Sequence, residues 1–154
     1  MNDRSSELFE RALKVTPGGV SSPVRAFGPN PLFIESAKGS KIKDVDGREY
    51  TDYCMAYGPM VAGHACEDVL NSIKSYLDKG MLFGAPSEPE LQLIELISSR
   101  VPSAEMVRLA CSGAEATMHA VRAARGFTGR DGIVKMNGGY HGAHDSVLAE
   151  RDEG

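Results

Sequence analysis

Apolar residues recur at helical spacing in three stretches of the chain. Leu8, Phe9, Ala12 and Leu13 share one face of a segment through Lys14, which Ser5 or Ser6 is positioned to cap and Thr16-Pro17-Gly18-Gly19 ends. Val69, Leu70, Ile73, Tyr76 and Leu77 predict a helix from Glu67 to Lys79, stopped by Gly80. Leu91, Ile94, Leu96 and Ile97 predict another from Glu88 or Glu90 to about Arg100, closed by Pro102.

Between these stretches the pattern shortens. Leu32–Glu35, Lys41–Val45 and Arg48–Tyr53 read as short strands separated by Lys38-Gly39-Ser40 and by Asp46-Gly47, a pair suited to a hairpin turn. Val20 to Pro31 holds Pro23, Gly28, Pro29 and Pro31, so an extended loop is expected that needs a partner surface to be ordered. Further on, Met106–Ala110 and Ile133–Met136 read as buried strands around a helix from Ala114 to Arg125, the order of a βαβ unit. The expectation is an α/β chain: a small N-terminal helix and antiparallel strands, then the start of a mainly parallel sheet. Residues 1–70 form the first part and 71–154 the second. With two parallel strands before Gly154, that layer looks unfinished.

Composition narrows the partners. Of 154 residues, 42% are hydrophobic and 25% charged, the make-up of an ordinary globular protein. Net charge is −4, and the 17 basic residues are dispersed, which disfavours nucleic acid. Apolar runs fall short of the ~20 residues a membrane span needs, and the start Met1–Glu7 resembles neither a secretory signal nor a transit peptide. A cytoplasmic location is expected. Cys54, Cys66 and Cys111 have no C-x-x-C spacing, so neither a disulfide framework nor a metal site is indicated, and Cys111 is expected to be a small buried residue.

The chemistry concentrates in two motifs. Cys111-Ser112-Gly113-Ala114-Glu115-Ala116 lies where a strand hands over to a helix, and the unpaired N–H groups of a helix start favour a phosphate or carboxylate. Asn137-Gly138-Gly139-Tyr140-His141-Gly142 follows the next strand, where ligand loops of open parallel sheets gather. Tyr140 offers a flat ring and His141 a polar neighbour. Each motif alone also fits an ordinary turn; together they favour a planar phosphorylated cofactor.

Pro17-Gly18-Gly19-Val20-Ser21-Ser22-Pro23-Val24-Arg25-Ala26-Phe27 resembles the N-terminal signature of the glutamate-1-semialdehyde 2,1-aminomutase family. Asp44-Val45-Asp46-Gly47 through Asp52-Tyr53, then Gly58-Pro59, Gly63-His64-Ala65, Phe83–Pro86, Ser112–Ala116, Gly126–Asp131 and Tyr140–Gly142 agree in order and spacing, and these blocks are shared with the wider class-III aminotransferases. The resemblance implies the fold type I of pyridoxal-phosphate-dependent transferases, similar to aspartate aminotransferase, and a homodimer. It implies a pyridoxal 5'-phosphate-dependent isomerase that also uses pyridoxamine 5'-phosphate and converts glutamate-1-semialdehyde to 5-aminolevulinate for tetrapyrrole synthesis. Carried over by position, Ser112, Gly113, Ala114, Tyr140 and His141 are cofactor-binding, and Ser22, Arg25 and Tyr57 are substrate-binding. Arginine suits a carboxylate because its forked donors reach both oxygens.

Tyr57 stands where the family commonly has tryptophan, and Ala114 where it commonly has threonine. His64 reads as a structural polar residue at a turn. The resemblance further implies that the lysine that anchors the cofactor lies beyond Gly154, so no catalytic residue is expected within the chain, and it matches Lys135 to a different lysine. The chain reads as an N-terminal part, inactive alone. Two alternatives remain open: another class-III aminotransferase using a separate amine donor, and a non-catalytic fragment or paralogue that binds a partner through a sheet edge.

Overall fold

The computed structural model describes residues 3–148. The chain divides into two units, Met1–Leu82 and Phe83–Gly154.

The first unit opens with α1, Arg4–Leu13. Its cap is not a serine. Asp3 accepts the N–H of Ser6 at 3.0 Å, and the Asp46 carboxylate takes the N–H groups of Arg4 and Ser5 at 2.7 and 3.2 Å and the Ser5 hydroxyl at 2.6 Å. Carboxylates displace the expected hydroxyl cap because a full negative charge gains more from the positive helix end. Ser5 instead sits buried inside the first turn. Both carboxyls are held below their ordinary value, Asp3 chiefly by the Ser6 N–H and Asp46 chiefly by the Ser5 hydroxyl.

Asp46 lies in the turn between the second and third strands of an antiparallel sheet, β1 (Ile34–Lys38), β2 (Lys41–Asp44) and β3 (Glu49–Thr51), in that spatial order. Ala37 faces Ile42, Ile42 faces Tyr50, and a bulge interrupts the register between Ile34 and Ser36. Asp44 fixes the β2–β3 turn from a fully buried position, accepting the N–H groups of Asp46 and Arg48 at 3.0 and 2.7 Å and the Tyr50 hydroxyl at 3.0 Å. The Arg48 guanidinium reaches on to Asp3 at 3.3 Å, so the hairpin and the helix start are held by one charged cluster. α2, Glu67–Leu77, completes the described part of this unit.

The second unit holds α3 (Glu88–Arg100), α4 (Gly113–Thr128) and the single turn α5 (Asp145–Leu148). α3 and α4 fall where the sequence put them, α4 running on past Arg125 to Thr128, and α5 was not expected. The two flanking segments do not become strands: neither Met106–Ala110 nor Ile133–Met136 joins a ladder among the described residues, so the expected parallel sheet is not formed by them. A strand exists only where a neighbour supplies its hydrogen bonds, and no such neighbour lies among these residues. Their apolar side chains are open, Val134 at 98% and Met106 at 94% exposure, and Cys111 is exposed rather than buried for the same reason.

Across the described residues Val147 is the one buried hydrophobic side chain. The apolar stripes of α2 and α3, including Ile73, Tyr76, Leu91 and Leu96, remain exposed. Among the described residues no helix is long and apolar enough to cross a membrane.

Candidate active site

In the second unit the helix start of α4 is built as expected, with an additional brace. The Ser112 hydroxyl accepts the N–H of Glu115 at 3.1 Å, and the Glu115 carboxylate returns to accept the N–H of Cys111 at 2.7 Å. This is a variant of the reciprocal capping box, reaching one residue further back than usual. Gly113 and Ala114 occupy the first two helical positions, whose N–H groups have no partner within the helix. Nothing stands within 4 Å of where a Cβ on Gly113 would project, and the residue is exposed.

The loop carrying Tyr140 and His141 is seated directly on this turn. Gly142, at φ +108°, approaches so closely that a Cβ there would stand 2.7 Å from Ala114 Cα. Thr117 secures the contact: its hydroxyl is 2.7 Å from the His141 carbonyl and 3.2 Å from His144 Nε2. A hydroxyl has one proton to give, and the His141 carbonyl is nearer than the Gly113 and Ala114 carbonyls of its own helix, at 3.0 Å each, so the Thr117 hydroxyl donates across to the loop. The two motifs expected to hold a cofactor are thus brought together.

Within the loop, Tyr140 is 81% exposed, with its ring face accessible. His141 Nε2 is buried without a hydrogen-bond partner, an uncommon state for a native polar atom. It lines a cavity of about 140 Å³ shared with Lys135 and Tyr140. Lys135 donates to the Val147 carbonyl at 2.9 Å.

The residues expected on the substrate side, Ser22, Arg25 and Tyr57, lie separately, in the first unit. Ser22 precedes a short 3-10 turn, Pro23–Arg25, and the Tyr57 hydroxyl donates to the Val24 carbonyl at 2.7 Å. The proline-rich loop is thereby tied to Tyr57 at Val24, between Ser22 and Arg25 in sequence, while residues 23–30 stay exposed. Tyr57 stands on an unusual backbone: Met55, Ala56 and Tyr57 have φ of +47°, +55° and +64°. Left-handed conformation costs an L-residue roughly 1–2 kcal/mol each. Asp52 supports the run by accepting the N–H groups of Cys54 and Met55 at 2.8 and 2.9 Å, and its other oxygen lies 2.7 Å from His64 Nε2. These bonds, the one to His64 foremost, hold the Asp52 carboxyl below its ordinary value. His64 is the structural polar residue at a turn that the sequence suggested.

A family model described as aminotransferase class-III matches residues 24–153. The chain belongs to the class-III aminotransferases. Among its curated relatives, a glutamate-1-semialdehyde 2,1-aminomutase of Methanococcus maripaludis strain C5 is 55% identical over 152 residues, 99% of this chain and 36% of the relative. One from Archaeoglobus fulgidus matches equally, at 55% over 99% of this chain and 36% of its own length. The chain therefore spans about a third of the length of these relatives. Among solved structures, an omega-transaminase from Sphaerobacter thermophilus superposes at a TM-score of 0.91 with 38% identity, over 97% of this chain and 35% of that one. A glutamate-1-semialdehyde aminomutase from Pseudomonas aeruginosa in complex with PMP gives 0.82 with 25% identity, over 90% and 31%. These neighbours establish the fold of a pyridoxal-phosphate-dependent transferase for this class-III chain.

Sequence reasoning missed the residues that join the pieces. Thr117 and Gly142 link the Ser112–Ala116 turn to the Tyr140 loop, and Asp52 supports the turn under Tyr57. Gly142 ends the Asn137–Gly142 motif, and its type was a signal. Thr117, a mid-helix threonine, gave none.

Proposed function

We propose that this chain forms the N-terminal part of a cytoplasmic, homodimeric glutamate-1-semialdehyde 2,1-aminomutase, which moves an amino group within glutamate-1-semialdehyde to give 5-aminolevulinate. The observation that carries this reading is 55% identity to named aminomutases over 99% of the chain, with the Pro17–Phe27 signature included. The division at residues 70 and 71 into a small-domain part and the start of a cofactor domain belongs to the same reading.

The residues present fit a phosphorylated pyridoxal or pyridoxamine cofactor. Gly113 and Ala114 offer two N–H donors at an open helix end to its phosphate, and Ser112 keeps that end in shape by capping it. Tyr140 supplies a face for the ring, and His141 has one buried nitrogen still without a partner. The chemistry the group supplies when bound is an amine to donate and a conjugated ring that takes up electrons from a developing carbanion. Arg25 binds the substrate carboxylate through its forked donors, Ser22 adds a hydroxyl, and Tyr57 forms an aromatic wall. Glu115 directs its charge to Cys111, which spares the Gly113 and Ala114 donors for an anion.

The likeness to the Sphaerobacter omega-transaminase supports a second reading, a class-III aminotransferase with a separate amine donor. A chimera decides between them, in which residues 3–154 replace the matched segment of the Methanococcus maripaludis aminomutase. Growth of a strain that otherwise requires added 5-aminolevulinate supports the aminomutase. A soluble, cofactor-loaded chimera that fails to restore growth overturns it.

A further inference from the structure

Asp52 and His64 are assigned neither to substrate nor to cofactor, yet they determine the backbone on which Tyr57 stands. Three consecutive non-glycine residues, Met55, Ala56 and Tyr57, lie in the left-handed region. L-residues persist there only where their surroundings enforce it.

The enforcement is traceable bond by bond. His64 exchanges reciprocal backbone hydrogen bonds with Gly39, 2.8 Å each, and the N–H of Asp52 donates to the Ser40 carbonyl at 2.9 Å, so both residues are tied to the β1–β2 turn. The Asp52 carboxylate then uses one oxygen for His64 and the other for the Cys54 and Met55 N–H groups. Both side chains are largely covered, at 10% and 17% exposure, and so are shielded from competing water. From the turn they hold, the Tyr57 hydroxyl reaches the Val24 carbonyl, between Ser22 and Arg25 in sequence.

We propose that Asp52 and His64 are positioning residues for substrate, which transmit the rigidity of the sheet through the left-handed turn and Tyr57 to the Ser22–Arg25 loop. This rests on the reading of Ser22, Arg25 and Tyr57 as substrate-side residues. Neither group needs to touch the substrate; their role is to fix where the guanidinium is presented.

The test uses the chimera described above. His64→Ala and Tyr57→Phe are each expected to raise KM for glutamate-1-semialdehyde about tenfold, with kcat and cofactor absorbance nearly unchanged, the pattern of lost binding. The double variant should be no worse than the poorer single one, because both act along one path. His64→Gln, which keeps a donor within reach of Asp52, should recover most of the loss. Hydrogen exchange over residues 20–27 should quicken in His64→Ala and Tyr57→Phe alike. Additive effects on KM, an unchanged KM, or exchange over 20–27 that stays slow would overturn the proposal. Should the parent chimera be inactive, the substrate reading fails, and the exchange measurement alone still decides whether Asp52 and His64 set the loop.

Discussion

A carboxylate that accepts three hydrogen bonds cannot take a proton without weakening them. Asp52 is held below the ordinary aspartate value of 3.8 by His64 first, then by the Met55 and Cys54 N–H groups. Through the acidic range the unfolded chain therefore binds a proton that the folded chain does not. The contribution of Asp52 to stability is fully present above 3.8 and is lost as pH falls through the lower folded value. A carboxyl NMR titration of the folded chimera is expected to place the Asp52 midpoint below 3.8, whereas a midpoint at or above it would mean that the turn is not braced in solution. Gly142 gives a second test at this scale. An alanine there would meet Ala114 Cα at 2.7 Å and the Thr117 oxygen at 2.9 Å at a φ of +108°. Gly142→Ala should cost about 1–3 kcal/mol and weaken cofactor binding, read by cofactor titration; unchanged affinity would separate the loop from the cradle. The sequence made the types of Gly113, Tyr140 and Arg25 informative because each has a special chemistry. It placed Asp52 in a matching block but gave it no role, because an aspartate reads alike on a solvated surface and under a strained turn.

Among the elements, helices were legible and strands only partly so. Helical periodicity is written within one segment, and α2 and α3 lie within two residues of their expected ends. The hairpin was readable from Asp46-Gly47, although β1 lies further along than Leu32–Glu35 and the cap of α1 comes from Asp3 and the distant Asp46. A long-range carboxylate cap leaves no local signal. Met106–Ala110 and Ile133–Met136 have strand composition, but composition cannot supply a partner. The contact between α4 and the Tyr140 loop depends on the Thr117 hydroxyl bond to the His141 carbonyl. Thr117→Val keeps the shape and removes that donor, and is expected to cost about 1 kcal/mol, up to ~3 if the carbonyl stays dry. The denaturation midpoint of the chimera should fall with its slope unchanged; an unaltered or higher midpoint would show that the hydroxyl adds nothing.

For the whole molecule, the decisive feature is how much apolar surface stays open. Leu82 and Phe127 are 94% and 93% exposed, and the stripes of α2 and α3 have no cover among the described residues. Helices of this length are marginal in water without tertiary packing. The 154-residue chain alone should therefore self-associate or melt without cooperativity, as read by light scattering and calorimetry; a monomer with a sharp transition would contradict this. The aminomutase relatives, of which the chain spans 36%, point to where such cover comes from. On the proposed reading, Gly113 and Ala114 hold a phosphate and Arg25 holds a carboxylate during intramolecular amino transfer. The most direct measurement is the initial rate at which purified chimera forms 5-aminolevulinate from glutamate-1-semialdehyde as sole substrate. The account predicts a rate comparable to the parent aminomutase with no amine donor added. A folded, cofactor-loaded chimera that forms none, or forms it only when a separate amine donor is supplied, would contradict it.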